Sequence, residues 1–257
     1  NSAKPAMLLL LLMTVMPMSM QAADTYVDSL WNAANQAYSE GQWADAAGDY
    51  QMLSSMGLES AALYCNTGDA YFKDGNVPMA ILNYERALKL DPSYGDARFN
   101  LDLLNSGIQD RIDPVPELIL KTWMRQFCYM ADSDDWAVAF LVLLAAFAAL
   151  MLLFLLGRTV AARRLGFFAG IAVFLVALMC LGFSQWQKKD YMSADEAVIV
   201  RPVTSVKSSP SGESSKDLFI LHEGTKVKLL DRVGTWSNIE LADGRQGWMQ
   251  SSDMEVI

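Results

Sequence analysis

Two apolar runs constrain this chain more than any other feature. Residues 136–156 and 165–183 carry no charged side chain and are separated only by a short basic turn, 157–164. As a helix each run would extend roughly 28–32 Å, the thickness of a bilayer's hydrocarbon core. A buried helix of that length in a soluble protein keeps a polar face, and neither run has one. The pattern predicts a transmembrane hairpin over 134–186, with the segments before and after it on one side of the membrane. The turn holds Arg158, Arg163 and Arg164 without an acid, whereas Asp132, Asp134 and Asp135 precede the first run. Short basic loops stay in the cytoplasm, so both large segments are expected outside it. Lys188 and Lys189 weaken that asymmetry without reversing it.

The apolar runs hold no ionisable group other than Cys180, which argues against a proton relay, an ion path or a transport site. Gly166 and Gly170 form a GxxxG, and Ala145, Ala146, Ala148 and Ala149 are small residues on the first run. Such spacing serves packing within the hairpin or on another membrane subunit. Residues 1–23 read as a secretory signal peptide: Lys4, an apolar core over 7–16, then Ala22 and Ala23 at the cleavage point. An uncleaved anchor is the alternative, and either one exports the segment from residue 24 onward.

Residues 24–112 repeat with a period of 34. Gly41-Gln-Trp-Ala-Asp-Ala46 recurs as Gly75-Asn-Val-Pro-Met-Ala80. In the second unit Tyr64, Gly68, Tyr71, Gly75, Ala80, Tyr84, Ala87 and Pro92 fall where a tetratricopeptide repeat has them, and the segment resembles that family. Gly68 and Ala80 are small where paired helices cross, and Asp91-Pro92 stops a helix. The first unit is degenerate, with Ala34 for glycine and Leu58 for proline, and a single helix from Asp96 caps the second. Two repeats and a cap are short for independent stability, so marginal stability or support from partners is expected. The family pattern maps the inner surface to Trp31, Asn35, Tyr38, Cys65, Asp69, Phe72 and Phe99. These form a groove for a partner's peptide or helix, or else fill the core of a short array.

Residues 113–133 begin with a proline-broken stretch. An amphipathic helix comes after it, with Leu120, Trp123, Met124, Phe127 and Cys128 on one face. It suits the membrane interface, or packing on the repeats. Residues 194–257 change to a period of two. Five short strands start near Val198, Leu218, Lys226, Trp236 and Gln246, with turns at Glu223-Gly-Thr, Val233-Gly-Thr and Asp243-Gly-Arg. Gly224, Trp236, Ile239 and the Gly244-Arg245-Gln-Gly247-Trp248 ending resemble a bacterial SH3-like barrel. Residues 205–216 occupy the place of its variable loop. That resemblance implies cell-wall peptides or partner proteins as ligands, with Trp236 and Trp248 as core, rim or contact residues.

Catalytic chemistry finds no support. His222 is the only histidine, reads as a surface residue at a turn, and has no nucleophile set around it. Phosphate loops, dinucleotide fingerprints, HExxH and paired CxxC motifs do not occur, so neither a cofactor nor a metal is expected. Cys65, Cys128 and Cys180 fit plain packing. A net charge of −9 argues against nucleic acid as a partner.

The fold class is therefore an α+β multidomain membrane protein: tetratricopeptide hairpins, a transmembrane helical hairpin and a C-terminal all-β SH3-like barrel. This order of parts, with the stretches DARFNLDLLNSGIQDRIDPVPE and LFILHEGTKVKLLDR, resembles the BatE type of Bacteroides aerotolerance (Bat) protein. The resemblance implies a multi-pass inner-membrane component with its repeats and barrel in the periplasm. It also implies partners among Bat proteins with von Willebrand factor A domains and, indirectly, a MoxR-type ATPase, in a complex linked to oxygen or stress tolerance. A non-enzymatic scaffold is the expected function. The alternative is a peptidoglycan-binding sensor or hydrolase activator acting through the barrel.

Overall fold

The computed structural model describes residues 25–116, 118–211 and 215–257; the expected signal peptide, 1–23, lies outside the described residues. The layout is α+β, with eight helices and a seven-stranded antiparallel sheet among the described residues. It divides into two compact units. One joins the chain up to Pro114 with Ala194–Ile257, and the other is Val115–Ser193.

In the first unit, helices α1 (25–39), α2 (Trp43–Ser55), α3 (Ala61–Lys73), α4 (Val77–Leu90) and α5 (Gly95–Asn105) form two hairpins and a closing helix. Local chemistry sets their ends. The Ser60 hydroxyl caps α3 by accepting from the Leu63 N–H at 3.1 Å, and Asn76 caps α4 by accepting from the Met79 N–H at 3.3 Å. Gly75 takes φ +84° in the turn between them, a conformation that disfavours a side chain. Within the second hairpin Gly68 lets α3 and α4 meet, since a Cβ there would lie 2.7 Å from a Tyr84 ring carbon. Ala34, Tyr50 and Leu53 of the first repeat are buried together with Leu63 of α3, and Ile81, Leu82 and Tyr84 of the second with Leu101 of α5.

The sheet contains two strands more than the five expected. Its order is β3-β2-β6-β5-β4-β1-β7. The strands are β1 (Glu196–Ile199), β2 (Val203–Lys207), β3 (Asp217–His222), β4 (Lys226–Val233), β5 (Trp236–Glu240), β6 (Gln246–Gln250) and β7 (Met254–Val256). Strand β2 occupies the start of the expected variable loop. Its polar composition hides the alternation that buries Thr204 and Val206 while Val203 faces out, and it pairs with β3 through Val206↔Phe219. Strand β7 is too short for a periodicity of its own and is held by β1 through Val198↔Glu255. Val198 of β1 lies in the same apolar cluster as Ile81, Tyr84 and Leu101, and Ile257 packs against it. The sheet keeps a core of its own, with Ile199, Val206, Val227, Ile239 and Met249, and reaches the core of the second repeat through Val198.

The second unit contains α6 (Ile119–Cys128), α7 (Ser133–Leu156) and α8 (Val160–Met192). Both α7 and α8 are long and apolar enough to cross a membrane. The basic turn is tighter than expected: α8 already begins at Val160, and the Arg163 Nε donates to the Gly157 carbonyl at 3.0 Å. Beyond the apolar run α8 continues through Trp186 to Met192. The GxxxG packs within the hairpin. A Cβ on Gly166 would sit 2.7 Å from the Leu150 carbonyl oxygen, and one on Gly170 3.8 Å from Phe147. The C-terminal end of α6 is fastened to the hairpin. The Trp136 Nε1 donates to the Cys128 carbonyl at 2.8 Å, Gln187 donates to the Ala131 carbonyl at 2.9 Å, and the Trp136 and Phe183 rings stand 5.2 Å apart. Leu120 and Trp123 on α6 stay exposed.

Candidate protein-binding face

The 34-residue period reappears as a hydrogen bond. The Tyr50 hydroxyl on α2 donates to Asn35 Oδ1 on α1 at 2.6 Å. One period later the Tyr84 hydroxyl on α4 donates to Asp69 Oδ1 on α3, also at 2.6 Å. Both tyrosines are buried, and each needs an acceptor to offset the loss of water around its hydroxyl. Asn35 and Asp69, expected as contact residues, are therefore also structural acceptors. Asn100 on α5 adds a bond to Asp69 Oδ1 at 2.9 Å, joining the capping helix to the second repeat.

The seven expected groove residues divide by exposure. Phe99 is 71% exposed and Phe72 38%, so both offer apolar surface to solvent. Trp31 and Tyr38 are half-buried against the first core, with Trp31 edge-on to Tyr50 at 5.6 Å. Cys65 is a correction: it is 3% exposed and belongs to the second core, so it offers no contact surface. On α3 this small side chain packs among residues of α4 and α5 instead of lining a groove. Leu103, 53% exposed on α5, was not singled out by sequence, although it stands one helical turn after Phe99.

Electrostatics groups these positions. Burial pushes the Asp69 carboxyl above its usual range; the bonds from Tyr84 and Asn100 oppose the shift, nearby Asp96 adds to it, and Lys73 moderates it. Burial, then Asp69 and Asp96, push the Cys65 thiol up to about 12. Tyr38 is raised by burial and then by Asp69, so it lies within electrostatic reach of that carboxylate. Asp69 is the acceptor that ties α3 to α4 and α5.

A second cluster joins the repeats to the sheet, and His222 belongs to it rather than to an open turn. Asp110, which lies just past α5, accepts from the His222 N–H at 2.6 Å and from Thr225 Oγ1 at 2.9 Å. It also lies 2.9 Å from His222 Nδ1. Burial pushes the Asp110 carboxyl up, but these bonds outweigh it and hold the group below the usual carboxylate range. Lys226 bridges Glu85 of α4 and Glu196 of β1 at 2.9 and 2.8 Å. Arg86 and Lys89 donate to the carbonyls of Val256 and Ile257. Gly224 completes the contact, since a Cβ there would meet Ile81 at 2.9 Å.

On the sheet, Trp236 and Trp248 share the outward face, because Trp236 pairs with Gln250 and Asn238 with Trp248. Trp236 borders a cleft with Arg201, Thr204, Lys207 and Asp253. Arg201 lies 3.0 Å from Asp253, which also accepts from Thr204 Oγ1 at 2.7 Å. Among the described residues no group of three His, Cys, Asp or Glu gathers that could hold a metal ion.

A model of the TPR repeat family matches residues 68–104. The matched span starts at Gly68 and covers the rest of α3, all of α4 and nearly all of α5, and it includes Asp69, Phe72, Tyr84, Phe99 and Asn100. Comparison with curated proteins gives no match. TPR repeats imply protein partners, so the exposed aromatic residues around Asp69 are a candidate contact surface for protein.

Proposed function

We propose that this chain is a membrane-anchored, non-catalytic scaffold that holds a partner protein on the inner face of its repeats. The exposure of Phe72 and Phe99 beside Asp69, within a TPR match, carries the reading. Stacked repeats present such a face to extended or helical segments. Helices α7 and α8 supply the anchor, and the basic residues near their turn favour a cytoplasmic turn with the repeats and sheet in the periplasm. Asp110 belongs to one of the stretches that carry the BatE resemblance, and His222 and Thr225 to the other. The BatE reading names the partners as Bat membrane proteins with von Willebrand factor A domains, and through them a MoxR-type ATPase. Purification in mild detergent tests it. Such proteins should co-elute with the wild-type chain and be lost with Phe72→Ala/Phe99→Ala, which alters only exposed side chains. Retention by the double variant overturns the groove.

The cleft beside Trp236 favours a second reading, in which the sheet, as an SH3-like domain, binds peptidoglycan. Muropeptide binding by the full chain, abolished by Trp236→Ala, would support it; absence of binding would remove it.

A further inference from the structure

The partner's chemistry can be read from the charge of the repeats, and the reading rests on the scaffold function above. Residues 25–112 contain twelve acidic and five basic side chains. Four of those five cations are turned to internal acceptors. Arg86 and Lys89 bind the C-terminal carbonyls of the sheet, Arg98 donates to the Pro92 carbonyl, and Arg111 to the Ser106 carbonyl. Lys73 is the cation within reach of Asp69, and Asp96 opposes it there. Among the described residues, the hydrogen bonds that Asp69 accepts from Tyr84 and Asn100 both fall on Oδ1.

We infer that the inner face of the repeats takes a cationic segment of a partner protein, in which lysine or arginine stands between apolar side chains. Phe72, Phe99 and Leu103 meet the apolar positions, and Asp69 with Asp96 meets the cation. A half-buried carboxylate has already lost part of its hydration, so a cation costs it less further solvation, and a charge-assisted bond to its second oxygen compensates both groups. An acidic segment would meet Asp69 and Asp96 with like charge and leave the aromatic residues as its only attraction. The surface thus selects by sign as well as by apolar fit.

The test uses the full chain in phosphatidylcholine nanodiscs, with empty nanodiscs subtracted. Two fluorescent probes are titrated: a short peptide alternating lysine with leucine and phenylalanine, and the same peptide with glutamate for lysine. The lysine peptide should bind, and binding should weaken about tenfold in Phe99→Ala and in Asp69→Asn, as expected for an exposed anchor and a charge-assisted contact. Asparagine at 69 keeps an acceptor for Tyr84 and Asn100, and Asp45→Asn on α2 should leave affinity unchanged. Equal or tighter binding of the glutamate peptide overturns the inference, as does lysine-peptide binding that ignores both variants, or no binding. Loss of a glutamate-peptide signal in Phe99→Ala would retain the groove and reject its charge. Co-elution of the partner that survives the double phenylalanine variant would instead reject the groove itself.

Discussion

The two repeats make the same tyrosine hydrogen bond on different terms. In the first, Tyr50 meets a neutral amide, Asn35, and the residue before it is Ala34. In the second, Tyr84 meets a carboxylate, Asp69, and Gly68 lets its ring approach the opposite helix. The second repeat is also backed by the sheet, through Val198 in its core and the polar contacts of Asp110, Glu85, Arg86 and Lys89. The difference teaches that the repeats are not interchangeable. The second combines close helix packing, a buried acceptor with charge and a docking partner, and the match to the TPR repeat family falls there.

The largest expected effect breaks the comparison at the helix crossing. Gly68→Ala forces a Cβ into the Tyr84 ring and should destabilise the second repeat by about 2–3 kcal/mol, as overpacking does. Ala34→Gly, the reverse change in the first repeat, should cost about 1.5–2 kcal/mol, from helix propensity and the loss of one buried methyl. Hydrogen-exchange protection of α4 and α2 amides would measure each. Asp110→Ala comes next, leaving the His222 N–H and Thr225 hydroxyl without their acceptor. A loss of about 2 kcal/mol is expected, read as earlier exchange in both α4 and β4. Smaller again is the pair Tyr84→Phe and Tyr50→Phe. The first deletes a bond to a charged acceptor and should cost about 1.5–2 kcal/mol, the second about 1 kcal/mol. Equal losses would mean that the Asp69 charge adds nothing.

Acid offers the finest distinction, because the two carboxylates shift in opposite senses. Asp110 is depressed, so its contribution is present above the ordinary carboxylate pKa and is lost as pH falls through its lower folded value. Asp69 is raised, so protonation favours the folded state as pH falls through its elevated value. The docking of the sheet should therefore weaken below about pH 4, the ordinary carboxylate range. Asp110→Asn should flatten that decline, while Asp69→Asn should leave it in place. Circular-dichroism melts across pH 3–6 would check both.

The hairpins were legible because glycine, alanine and proline at a fixed period report helix crossings and helix ends directly. The apolar runs were legible through their length and the absence of charge or a polar face. The Asp110–His222 contact was not, since 112 residues separate its partners and each reads locally as an ordinary polar residue near a turn. Strand β2 was hidden by its serine, threonine and lysine, whose place in the ladder is set by β3 rather than by their own pattern. Of the face around Asp69, the repeat period identified the positions, but not which were filled by packing. Cys65 sits under the surface because α4 and α5 close over it, which no spacing within α3 records. The equivalence of Tyr50–Asn35 and Tyr84–Asp69 was readable, since both pairs differ by one 34-residue period.

The repeats and the sheet form one compact unit and should unfold together rather than as two modules on a string. Native-state hydrogen exchange of the full chain in micelles, at increasing denaturant, tests it most directly. Val198 in the core of the repeat, with the Asp110 and Lys226 contacts, predicts that the slowest amides of α4 and of β1 and β4 open together, at one free energy and one denaturant dependence. Exchange of α4 at lower denaturant while β1 and β4 remain protected would contradict it.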